Sequence, residues 1–149
     1  MRRLLISLLL LAACRKNTVE APAPGRPAPT AGASAARPAL DAFLAAVRNQ
    51  DLQAMSMVWG DKNGSVRDGK VMSREDMEQR ELVLMRCFKH DSFRVLGEAP
   101  APDRERVLQV ELTRGTKKHV TDFYAVKGPE RWYIRSANME PVKNLCSTK

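Results

Sequence analysis

The sequence predicts an α+β domain, with N-terminal helices packed on a curved antiparallel sheet of about four strands. Three observations predict it. Apolar residues recur at helical spacing between Pro38 and Phe88, and from Phe93 to Arg135 the pattern changes to alternation of apolar with polar residues. The chain is 44% hydrophobic and 28% charged, the balance of an ordinary folded domain and not of a disordered one. Its 149 residues are the length of one domain, and about 110 of them follow residue 37 as the folded unit. Helices first and a meander afterwards put the helices on one face of the sheet.

The chain begins with a short positive region, Met1 to Arg3, and an apolar run from Leu4 to Leu11 interrupted only by Ser7. This is the layout of a secretory signal. It is too short to span a bilayer, which takes roughly 20 apolar residues. The run ends in Leu11, Ala12, Ala13 and Cys14, which resembles the bacterial lipobox: a branched apolar residue, two small residues and the cysteine that becomes the new N-terminus. The resemblance implies removal of residues 1–13, a diacylglyceryl group on the Cys14 thiol and a further acyl chain, palmitate or similar, on its amine. One acyl chain binds a membrane only marginally, at about 0.8 kcal/mol per buried methylene, whereas several make a durable anchor. A plain secretory leader with a chance cysteine is the other reading of the same run.

The implied address is the bacterial cell envelope, with the membrane as partner through the lipid on Cys14. Arg15 stands where a Gram-negative inner-membrane lipoprotein often carries aspartate, so the resemblance leans toward the outer membrane. Loss of Arg2 and Arg3 takes the formal net charge from +8 to +6. A basic chain is attracted to anionic lipid or envelope polymer. An exported protein rarely meets nucleic acid, and none is expected as a partner.

Residues 14–37 read as a disordered tether. From Thr18 to Arg37 the chain is mostly Ala, Pro, Gly, Ser and Thr, and holds too little apolar surface to fold. Alternating Ala and Pro favours polyproline II, about 3.1 Å per residue.

The domain is then expected over residues 38–149. Pro38 suits a first helical residue, and Leu40, Phe43, Leu44 and Val47 share one face of a helix to about Arg48. Asp51 can cap a second short helix in which Leu52, Met55, Val58 and Trp59 form a stripe, ended by Gly60. Asp61 to Gly69 reads as a loop or weak hairpin. Ser73 and Asp76 resemble a capping box, and Met77, Leu84, Met85 and Phe88 mark the inner face of a third helix.

Four strands follow. Phe93 and Val95 lie in the first, which Pro100 and Pro102 break; Leu108, Val110 and Leu112 alternate with polar residues in the second. The third runs from about Lys117 to Lys127, and Gly128 and Pro129 turn the chain into a fourth carrying Trp132 and Ile134. The order of elements, the helix pair closing on Trp59 and the strand with Trp132 and Tyr133 resemble the nuclear transport factor 2-like superfamily, a cone-shaped α+β fold. The resemblance covers roughly Ala39 to Cys146 and implies fold more than activity, because this fold hosts unrelated functions.

With Cys14 lipidated, Cys87 and Cys146 are the remaining thiols, and an exported chain meets an oxidising compartment. One intramolecular bridge is expected, closing a loop of about sixty residues for which the chain-entropy model gives roughly 4 kcal/mol. Two free cysteines, or pairing between chains, is the alternative. His90 and His119 are the only histidines, and no Cys/His cluster at metal spacing is present. No metal and no cofactor are expected.

An enzyme of this resemblance would need a carboxylate or histidine inside the cone with its pKa shifted by burial. The candidates are Asp122, Tyr124 and His119. Asp122 and Tyr124 share one strand face and His119 lies on the other, so either the pair lines the cavity or Phe123 and Ala125 do. A second candidate is an anion-binding surface of Arg104, Arg106, Arg114, Lys117, Lys118, Arg131 and Arg135 near the hairpin ends. The same residues also serve as solvated edges that discourage strand pairing. Trp59, Trp132 and Tyr133 are either stacking residues at the cone's mouth or core. These readings favour a non-catalytic binding or accessory module with an envelope protein, anionic polymer or small apolar ligand as partner. The alternative is a small-molecule enzyme of the ketosteroid-isomerase or polyketide-cyclase type.

Overall fold

The computed structural model describes residues 30–69 and 72–146. The leader, Cys14 and the tether as far as residue 29 lie outside the described residues. Helix α1 (Ala36–Asn49) buries Ala36, Ala39, Leu40, Phe43, Leu44, Ala46 and Val47, the face its spacing predicts. Pro38 is its third residue and not its first. The Asp51 carboxylate caps α2 (Leu52–Val58) by accepting the Ala54 N–H at 2.9 Å. A two-stranded hairpin, β1 (Gly60–Asp61) and β2 (Gly64–Ser65), follows. At the start of α3 (Arg74–Cys87), the Ser73 hydroxyl accepts the Asp76 N–H at 3.1 Å and so satisfies one orphan donor.

The sheet is an antiparallel meander of β3 (Ser92–Ala101), β4 (Glu105–Arg114), β5 (Lys117–Lys127) and β6 (Trp132–Ala137), in sequence order. Pro100 does not break β3 as expected. It lies inside the strand opposite Arg106, and β3 is an edge of the sheet, where proline is tolerated. Register shifts at Val95/Gly97 and Tyr124/Ala125 add local twist to the sheet. A short 3-10 turn (Glu140–Val142) and α4 (Lys143–Cys146) close the described chain.

The helices cover one face of the sheet. Phe123 on β5 is fully buried between Phe43 of α1, with ring centroids 5.9 Å apart, and Phe88 at the end of α3, 5.0 Å apart. Leu108, Val110 and Leu112 of β4 join them. The inner face of α3 departs from expectation: Met77 is only half-buried, and Glu81 is buried in the stripe with Met85.

The folded unit also begins before Pro38. Ala33 pairs with Trp132 through two backbone hydrogen bonds of 2.9 and 2.8 Å, and the Gly32 N–H donates to the Met57 carbonyl at 2.8 Å. Residues of tether-like composition are thus used here as small residues that fit closely against β6. Cys87 and Cys146 have their sulfurs at bonding distance and their Cα atoms 4.2 Å apart, which joins α3 to α4. Among the described residues no helix is long and apolar enough to cross a membrane.

Candidate functional site

The catalytic candidates singled out from the sequence are not brought together at a cavity. Thr121, Phe123 and Ala125 are buried under the helices, so Asp122 and Tyr124 occupy the opposite, outer face of the sheet. His119 lies on the helix side, paired with Leu112, and its Nε2 is buried with no hydrogen-bond partner among the described residues. Tyr124 has the Arg135 guanidinium 5.8 Å over its ring. None of the three lines a cavity described below.

Nor do the seven cations form one surface. Arg114, Lys117 and Lys118 flank the β4–β5 turn, whereas Arg104, Arg106, Arg131 and Arg135 lie at the other end of ten-residue strands, about 30 Å away. Four are engaged locally. Arg106 meets Glu98 at 2.7 Å, Lys118 meets Glu111 at 3.1 Å, Arg135 donates to Glu105 at 2.9 Å, and Arg131 donates to the Gly32 carbonyl at 3.0 Å. Glu111 also receives Arg94 at 3.4 Å, and its hydrogen bond to Lys118 holds its carboxyl below the usual range. The Arg106–Glu98, Lys118–Glu111 and Arg94–Glu111 pairs tie neighbouring strands together and Arg135–Glu105 reaches across β5, all at exposed positions where each contributes little.

The main concave features lie along the junction of the helices with β6, where Arg131 and Arg135 are the candidate cations that line them. Trp59 is central to them. The residue ends α2 in an extended conformation, pairs with Ile134 of β6, and its indole N–H donates to the Arg135 carbonyl at 3.4 Å. The indole therefore stands between two adjoining hollows instead of completing the α2 stripe. The first, about 610 Å³, is bounded by the β1–β2 hairpin, Tyr133 and Arg131. The second, about 600 Å³, is a cleft between α3 and β6. Trp59, Arg80 and Arg135 line both.

The cleft has an apolar floor and a polar rim. Phe43, Leu84, Ile134, Ala137 and Met139 form its interior with Trp59, and Asp76, Gln79, Arg80 and Ser136 stand around it. Val83 projects beside it, 46% exposed. The cause is local: α3 packs one face on α1 and α2 and leaves residues 76, 79, 80, 83 and 84 facing β6 across open space. The size falls within the roughly 300–1,000 Å³ of small-molecule sites. Its polar groups can orient a ligand, and no group of acidic, histidine or cysteine residues suited to a metal is found among the described residues.

Two features escaped the sequence reading. Glu81 is 1% exposed, and its Oε1 is buried with no hydrogen-bond partner among the described residues. Burial, aided by the nearby Glu78 carboxylate, pushes its pKa up to about 7. The signal was present, because Glu81 sits four residues from both Met77 and Met85 on the predicted inner face. The cleft had no comparable signal, since its lining comes from elements far apart in sequence. Burial also raises the Tyr133 phenol pKa. No family model, curated protein or solved structure matches this chain.

Proposed function

We propose that this protein is an exported bacterial lipoprotein held in the cell envelope by lipid on Cys14, and that its nuclear transport factor 2-like α+β domain is a binding module. Its site is the cleft between α3 and β6, and its ligand is a small, largely apolar molecule. The Cys87–Cys146 bridge is oxidised in the mature protein. Support for the address comes from the Leu11-Ala12-Ala13-Cys14 run and the apolar stretch before it.

The observation that carries the binding role is the cleft itself: about 600 Å³, floored by Phe43, Leu84, Ile134 and Met139, and bordered by a few polar groups. Apolar surface of this kind gains free energy on being covered, at about 25 cal/mol per Å². The isomerase-type reading loses support, because Asp122 and Tyr124 lie on the outer face, away from the cleft.

Decan-1-ol, a neutral apolar probe, tests the binding role by titration followed through tryptophan fluorescence. The reading predicts saturable one-to-one binding that Val83→Trp removes. Val83 is half exposed, so this substitution fills the cleft without disturbing the core. Absence of saturable binding, or binding unchanged by Val83→Trp, rejects the site.

A further inference from the structure

Helix α3 plays two parts at once. One face supplies Gln79, Arg80, Val83 and Leu84 to the cleft, and the opposite face presses Glu81 into the interior of the helical layer. A carboxyl at 1% exposure with an unpartnered Oε1 is an unusual device for holding a helix down. Neutral, it is an acceptable buried group; ionised, it is a bare charge in a low dielectric.

No described cation relieves it. Helix α2, packed against α3, carries no titratable residue at all. Helix α1 contributes Arg37, Asp41 and Arg48, all exposed, the first two paired with each other at 3.2 Å. Helix α4 contributes Lys143, exposed and paired with Glu140. On α3 itself Arg74 is taken by Glu78 at 2.8 Å, and Arg80 lines the cleft and the adjoining hollow. The charge that acts on Glu81 is the Glu78 carboxylate, which opposes ionisation.

The C-terminal end of α3 is held by buried Phe88 and by the Cys87–Cys146 pair. Its last turn also carries buried Met85 and half-buried Leu84, and the turns before it are held by half-buried Met77 and by Glu81. We infer that Glu81 is a proton-operated latch: protonated, it keeps α3 docked as the wall of the cleft, and on losing its proton it releases the first three turns of α3 about the fixed end at Cys87. The cleft would then be well formed in mildly acidic surroundings and widen above neutrality. The latch does not depend on what occupies the cleft, so it stands or falls separately from the binding reading.

Hydrogen–deuterium exchange on the full chain tests it, with amide protection in α3 compared at pH 6 and pH 8 after correction for the intrinsic chemical rate. The open state ionises at the ordinary value of 4.5 and the closed one at about 7. Linkage then predicts about a tenfold loss of α3 protection between those pH values. Residues of β4 and β5, exchanging through unfolding of the whole domain, should share the pH trend but stay better protected than α3 at both pH values. Glu81→Gln, neutral at both pH values, should abolish the difference, and Glu81→Leu should do the same. Equal protection of α3 at pH 6 and 8 in the unaltered chain overturns the latch. So does protection of α3 equal to that of the sheet at both pH values, or a difference that persists in either variant. Should neither variant fold, the unaltered chain alone decides the matter.

Discussion

The ring of Tyr133 lies so close to Gly32 that a Cβ on residue 32 would stand 2.8 Å from it. Gly32 also adopts φ +77°, a left-handed conformation that L side chains rarely take. A segment with the composition of a tether is thus seated against β6. Gly32→Ala should destabilise the domain by about 1–3 kcal/mol through strain and overlap. Chemical denaturation measures this, and an unchanged midpoint would mean that residues 30–33 are not part of the folded unit.

Stability should fall as pH rises, because of Glu81. Its folded-state pKa, about 7, lies above the unfolded value of 4.5, so the folded state binds the proton more tightly. The stability from this group is fully present below pH 4.5, declines through the interval and is lost once the pH passes about 7. Glu81→Gln should therefore raise Tm at pH 8 by several degrees and change it little at pH 5. Thermal melts at the two pH values check this, and an equal effect at both would show that the carboxyl does not titrate as argued.

Removing the tie between α3 and α4 should cost stability. Cys146→Ser opens a bridge spanning 59 residues, worth roughly 4 kcal/mol in the chain-entropy model. Dithiothreitol should lower the denaturation midpoint of the unaltered chain and leave that of the variant alone. Insensitivity of the unaltered chain to reductant would show that the bridge is not formed.

The address has its own test. Cys14→Ala should leave the precursor uncut, or release the domain from the membrane fraction. Mass spectrometry of the mature protein should find acyl chains on Cys14. A variant that is cut and membrane-bound like the original chain would exclude the lipid anchor.

The architecture was largely legible in the sequence because two periodicities are clean. Leu40, Phe43, Leu44 and Val47 recur as one helical face, and Leu108, Val110 and Leu112 alternate in a strand. Asp51 and Ser73 announce their helices by the capping hydrogen bonds they make. Where the reading failed, tertiary context overrode local pattern. Pro100 stays in β3 because that strand is an edge. Residues 31–37 fold because small side chains fit closely, which composition alone reads as disorder.

The site was less legible. Asp122 and Tyr124 stood out as polar residues in a strand, and the two registers were equivalent until Phe123 was placed beneath Phe43 and Phe88. Trp59 read as one more stripe residue of α2, although its backbone leaves the helix to pair with Ile134. A cleft between α3 and β6 depends on how far apart those elements sit, and no spacing within either one encodes that distance.

The most direct test of the central claim is a two-dimensional amide spectrum of the labelled chain titrated with decan-1-ol. Binding in the cleft predicts progressive shifts at Gln79, Arg80, Val83, Leu84 and at Ser136, Ala137 and Met139, the residues that face one another across it. Shifts confined to the outer sheet face, around Val107, Val120 and Tyr124, or no shifts at all, would contradict it.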